Sequence, residues 1–195
     1  LSNDLGITYA DGVTANGGGN NAIMYTSPDL MDGLNVTLSY NPQGSGAASE
    51  TGYGFNYTGV EGLSLSYANT DVETGTATTS GDNTVIKVSY AYGPVTVSYS
   101  EMENEVAAAA NAADKVSESY AVSYTVSDEL SLTYGSETHD IGSTAVDMEI
   151  EGFSVAYTTG GMTISAAMQS MDDGNFATGT NNDLDYWALG FSFAF

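Results

Sequence analysis

The chain has 195 residues, 25 of them Asp or Glu against only two basic residues, Lys87 and Lys115, for a formal charge of -23. That balance excludes a nucleic-acid partner, because no basic surface can form against its phosphates. Zero cysteines exclude a disulfide framework, thiolate zinc sites and thiol catalysis, and no run approaches the ~18 consecutive apolar residues of a membrane-crossing helix.

Residues 1–19 end in Gly17-Gly18-Gly19 and carry only a weak alternation at Ile7, Tyr9 and Val13, which leaves a strand at 4–10 open. From Asn20 onward, stretches with a period of two alternate with Gly-, Asn-, Asp-, Ser- and Thr-rich connections, the mark of short strands. The pattern predicts eleven strands, at 20–27, 34–41, 51–58, 62–72, 83–92, 94–103, 117–127, 129–138, 147–158, 161–171 and 183–195. Their connections are alternately short (28–33, 59–61, 93, 127–128, 159–160) and long (42–50, 71–82, 104–116, 139–146, 172–182). In a meander of hairpins, alternate turns fall at the same end, so one rim carries tight turns and the other carries loops.

Strands that leave the tight turns repeat a phrase. G-L-N-V-T-L-S-Y (33–40), G-L-S-L-S-Y (62–67), G-P-V-T-V-S-Y (93–99) and E-L-S-L-T-Y (129–134) set Leu or Val on one face and Ser, Thr or Asn on the other. Each greasy face closes on a tyrosine, Tyr40, Tyr67, Tyr99 or Tyr134, at similar height. The returning strands place Tyr57, Tyr90, Tyr92, Tyr124 and Tyr157 near the tight-turn rim. Two rows of amphipathic rings bounding an apolar band suit a membrane with two wet faces. A soluble β-solenoid or sandwich would give steadier repeats and no reason for so much tyrosine.

The last strand ends the chain in Trp187, Leu189, Phe191, Phe193 and Phe195, with Ala188, Gly190, Ser192 and Ala194 between them. This ending resembles the closing strand of bacterial outer-membrane β-barrels. The segment Asn20–Tyr40, through Asn21, Ile23, Tyr25, Ser27, Pro28, Gly33, Leu34 and Tyr40, resembles the general bacterial porins just after their constriction loop. The resemblance implies an all-β, antiparallel up-and-down transmembrane barrel, with these eleven or twelve strands forming the C-terminal part of sixteen. A complete twelve-stranded barrel closed by 4–10 is the competing reading. By the same resemblance, residues 1–19 are the end of the inward-folded constriction loop, with Asp4 and Asp11 at the eyelet, and residues 20–195 are barrel strands. The implied protein is a homotrimer in the outer membrane, bathed in its lipids, that passes small hydrophilic solutes and cations by diffusion and does no covalent chemistry.

The chain departs from that family in having no arginine for a basic cluster on the wall. The predicted wall is Asn35, Thr37, Ser39, Ser64, Ser66, Thr96, Ser98, Ser131, Thr133, Thr163 and Ser165, a neutral hydroxyl surface with Lys87 on it. With most acids assigned to loops, the composition predicts a cation preference. The runs Glu101–Glu105 and Asp147–Glu151 offer at most weak Ca²⁺ or Mg²⁺ binding, since they lack the spacing of a dedicated calcium loop. His139 is expected at an exposed loop start. A hydrolase reading would require it to lie near both a serine and a carboxylate. The alternative to a pore is a non-conducting adhesin or anchor whose acidic loops do the work.

Overall fold

The computed structural model describes residues 22–42, 49–76, 80–107, 114–179 and 182–194. They form one sheet of eleven antiparallel strands in chain order. The strands are β1 (Ile23–Thr26), β2 (Leu34–Asn41), β3 (Ser49–Tyr57), β4 (Leu63–Glu73), β5 (Gly81–Tyr92), β6 (Val95–Val106), β7 (Lys115–Thr125), β8 (Leu130–Ile141), β9 (Met148–Thr159), β10 (Met162–Asp172) and β11 (Leu184–Phe193). β1 and β11 are the two edges of this sheet. The segment 4–10, offered above as a twelfth strand, and Phe195 lie outside the described residues.

The tight turns are those the sequence marks. Gly33 takes φ 71°, which only glycine adopts without strain, and its carbonyl accepts the Thr58 N–H at 2.8 Å. At the opposite rim the strands run further than their apolar alternation does: β6 continues to Val106 and β8 to Ile141, three residues past the predicted ends. Ladder bonds are made by the backbone, so a strand persists where its outward side chains turn from apolar to acidic. β1 is shorter than predicted, ending at Thr26. Ser27 extends the pairing in another way, its hydroxyl accepting the Val36 N–H at 2.9 Å.

Register fixes two faces, because residues opposite one another in a ladder point to the same side. Leu38 faces Tyr53 and Tyr25, Val97 faces Tyr90 and Val122, Leu132 faces Tyr124 and Val155, and Phe193 faces Met162. This face is apolar and uncovered: Leu38 is 51% exposed, Phe193 56% and Trp187 76%. Among the described residues the buried hydrophobic side chains are only Val85, Met148, Ile150 and Met171. A soluble protein of this size does not leave its apolar face in water. An uncovered apolar face of this extent is suited to lipid rather than water, and the solenoid or sandwich reading is excluded.

The hydroxyl face as candidate pore wall

The opposite face collects Asn35, Thr37 and Ser39 from β2, Ser64 and Ser66 from β4, Lys87 from β5, and Thr96 and Ser98 from β6. Ser131, Thr133, Thr163 and Ser165 continue it on β8 and β10. Short side chains here bond across strands: Asn56 Nδ2 donates to Asn35 Oδ1 at 3.3 Å, Ser66 Oγ to Asn56 Oδ1 at 2.7 Å, and the Ser123 and Thr133 hydroxyls lie 3.0 Å apart. Gly54 brings β3 close to β4; a Cβ there would sit 2.7 Å from the Tyr67 carbonyl oxygen. With Gly52 it opens a hollow of about 280 Å³ floored by Ser39, Asn56, Ser66 and Lys87. Asp4 and Asp11 lie outside the described residues.

The charges are sorted between the faces. Asp71, Glu73, Asp82, Glu101, Glu103, Glu105, Glu118, Asp140, Glu149, Glu151, Asp172 and Asp185 all lie on the apolar face, beyond its aromatic row. Of the acids within strands only Glu50 and Glu137 lie on the hydroxyl face, and both lysines lie there too. The acidic runs are strand ends, with Asp147 just outside β9. Glu101, Glu103 and Glu105 point one way from β6 while Met102 and Asn104 point the other, and Glu149 and Glu151 alternate with Met148 and Ile150 on β9. Among the described residues no three His, Cys, Asp or Glu converge where a metal ion could be held. Across the ladder Glu101 faces Glu118, and the Tyr99 hydroxyl donates to both, at 2.5 and 3.2 Å.

The aromatic rows follow the sequence. Tyr40, Tyr67, Tyr99, Tyr134, Trp187, Phe191 and Phe193 share the apolar face. Tyr67 stacks on Phe55 at 5.8 Å and leans on Tyr53 at 6.1 Å, while Tyr99 and Tyr120 stand 4.9 Å apart.

His139 corrects the expectation of an exposed loop histidine. Because β8 runs on to Ile141, His139 is a strand residue facing the hydroxyl side, 3% exposed. Ser117 Oγ lies 2.8 Å from its Nδ1 and Glu137 Oε1 lies 3.2 Å from its Nε2. Serine, imidazole and carboxylate do meet, which is the condition set for a hydrolase. Ser117 is a mid-strand residue paired with Met102 and His139, so its own N–H belongs to the ladder rather than to an oxyanion hole. The cluster ties β7 to β8.

One patch of this face is not hydroxylic. Met148 and Ile150 are fully buried, and Met171 and Phe176 pack with them. Phe176 belongs to a 3-10 turn, Gly174–Phe176, where Asn175, Phe176 and the preceding Asp173 all take positive φ. A signal for this existed in the sequence: along β9 the apolar residues change parity at Gly152, from Met148 and Ile150 to Phe153, Val155 and Tyr157.

A meander of strands with an apolar, girdled face and a polar inner face is the wall of an outer-membrane β-barrel. The family model for Gram-negative porins matches residues 1–195, and the chain belongs to that family; its place is the bacterial outer membrane. Among solved structures it is similar to an anion-selective porin from Comamonas acidovorans (16% identity, TM-score 0.66, covering 91% of this chain and 60% of that one). A second porin is similar at 16% identity and TM-score 0.65, covering 88% of this chain and 60% of the other. The outer-membrane-expressed OmpT of Vibrio cholerae follows at 18% and 0.57, covering 88% and 64%. At these identities the likeness shows the fold, and the chain spans about 60% of the length of the first two. No curated protein matches the chain at a significant level.

Proposed function

We propose that the protein is a passive diffusion channel for small hydrophilic solutes and ions, with the hydroxyl face as its lumen wall. The observation that carries this reading is the tight-turn half of the face: across β2 to β10 it presents Ser, Thr, Asn, Ala and Gly, with Lys87, where a filled barrel would place large side chains. A homotrimer in the lipid of the outer membrane is part of the proposal, supported by the trimer form reported for one Vibrio cholerae OmpT structure.

We further propose a cation preference that belongs to the rim rather than to the wall. The rim acids Asp114, Asp147, Asp173 and Asp183 lie between strands at the long-loop end, where they raise the local cation concentration within a Debye length of ~8 to 10 Å. The preference is then strongest at low salt and fades toward 1 M, where that length is ~3 Å. The test is the reversal potential of the complete protein in planar bilayers under a KCl gradient at low and high ionic strength. Anion preference at low salt would refute the selectivity. Absence of any conductance would replace the channel with a non-conducting anchor.

A further inference from the structure

Among the described residues Lys87 stands alone in the middle of the wall. Its row across the sheet runs Ser66, Lys87, Ser100, Ser119, Glu137, so the first carboxylate along it is three strands away, ~14 Å at ordinary strand spacing. Lys115, the other cation on this face, lies two strands over and four residues along, ~16 Å away by the same geometry. The Lys87 side chain is exposed and has no ion-pair partner among the described residues.

The floor around it is built of hydroxyls. Ser64, Ser66, Ser89, Ser98, Ser100 and Ser119 line a hollow of about 390 Å³ together with Lys87. Three of them are already engaged: Ser66 donates to Asn56, and Ser100 and Ser119 share a bond of 2.7 Å. Ser64, Ser89 and Ser98 make no side-chain hydrogen bond among the described residues, so their donors and acceptors face the hollow unclaimed. The outward acids do not cancel the ammonium, for they point to the other side of the sheet.

We propose that Lys87 and these serines form a resting site for the carboxylate of a small hydroxylated solute crossing the lumen; the inference rests on the channel reading above. One ammonium balances one negative charge, which favours a monocarboxylate over a phosphate dianion, and the hydroxyls supply the donors and acceptors that a polyol chain gives up when it leaves water. Serine side chains are short, so the contact stays open to water and the solute can leave as readily as it arrives, which a diffusion channel requires.

The experiment uses the complete protein in planar bilayers, with KCl on one side and potassium gluconate on the other, and swelling of loaded liposomes in glucose as the neutral control. At low salt Lys87→Met should lower the gluconate-to-potassium permeability ratio about fourfold, the factor a unit charge gives at ~5 Å in water. Lys87→Arg should stay near wild type, glucose entry should be unchanged in both, and the difference should vanish near 1 M salt. Heat-modifiable electrophoretic mobility checks that each variant is folded. A wild type that conducts KCl but shows no dependence of gluconate permeability on Lys87 overturns the site and leaves the channel standing. Equal loss of glucose entry in Lys87→Met also overturns the site, because it reports a changed bore. A folded wild type with no KCl conductance overturns both.

Discussion

Val97 and Thr96 are neighbours on β6 that the register sends to opposite sides, and arginine at each gives opposite expectations. Val97 is 44% exposed on the apolar face, flanked by Tyr90 and Val122 and midway between the outward residues Val95 and Tyr99. Thr96 faces the wall between Ala91 and Ser123. An arginine facing lipid at the middle of the apolar band costs about 2 to 4 kcal/mol, whereas one facing a wet lumen costs little. With a urea dependence of about 2 kcal/mol per molar, Val97→Arg should lower the unfolding midpoint by about 1 to 2 M, and Thr96→Arg should leave it near wild type. The assay is equilibrium unfolding of the complete protein in lipid vesicles, followed by tryptophan fluorescence and heat-modifiable mobility. Thr96→Arg should instead reduce conductance. Equal destabilisation by the two arginines, or the larger cost at Thr96, would refute the assignment of faces.

Like charges directly opposite in a ladder destabilise it, so Glu118→Gln, which relieves Glu101, should stabilise the protein by about 0.5 kcal/mol at low salt and by less at high salt in the same unfolding assay. Asp147 lies between β8 and β9, and burial, then the charge and hydrogen bond of Asp140, raise its carboxyl above the ordinary 3.8. A raised acid means that the folded state binds the extra proton, so its charge destabilises above the raised value and the penalty fades as pH falls through it. Asp147→Asn should therefore raise stability slightly at neutral pH, with the gain gone by about pH 3.8, as thermal melts across pH would show. Phe176→Ala removes a half-buried ring from the Met148, Ile150 and Met171 patch and should cost about 2 kcal/mol, below the full-burial range, with earlier proteolytic cutting near residues 173–179 as the readout.

The sequence carried the architecture because a barrel wall is periodic. Leu38, Val97, Leu132 and Phe193 identify a face by parity alone, and their side of the sheet follows without any long-range contact being known. The eleven strands and their alternating turns were legible for the same reason. What parity could not give were features at strand ends, where side-chain polarity and backbone pairing part company. His139 has the sequence signature of a loop residue, because Thr138, His139 and Asp140 look like the end of an apolar alternation, yet the ladder continues through Ile141. The patch around Ile150 depends on Phe176, a residue from the next connection but one, folding back at positive φ. Contacts of that kind have no period. The hydroxyl face was legible as a list of residues, and the isolation of Lys87 among the described strands became visible only with the register, which shows how far each strand acid lies from it.

Net charge is a poor guide to what a permeating solute meets in such a wall. A strand residue works on one side of the sheet only, and twelve of the strand acids work on the lipid side, just beyond Tyr99, Tyr134 and Trp187. Their carboxylates stand in the wet layer beyond the aromatic row, where counter-ions on that side of the sheet screen them. Their field reaches the lumen weakened, while Lys87 is in it. The formal charge of -23 therefore does not translate into a strongly negative bore. Among the described strands the hydroxyl face carries Lys87 and Lys115 against Glu50 and Glu137, an even count, so the proposed cation preference falls to the acids at the rim. Moving one charge across the sheet tests this directly: Ser98→Glu, on the wall, should shift the reversal potential toward cations at salt concentrations where Tyr99→Glu, on the neighbouring outward position, shifts it little. Equal shifts from the two would mean that the wall does not separate the fields and that total charge governs selectivity after all.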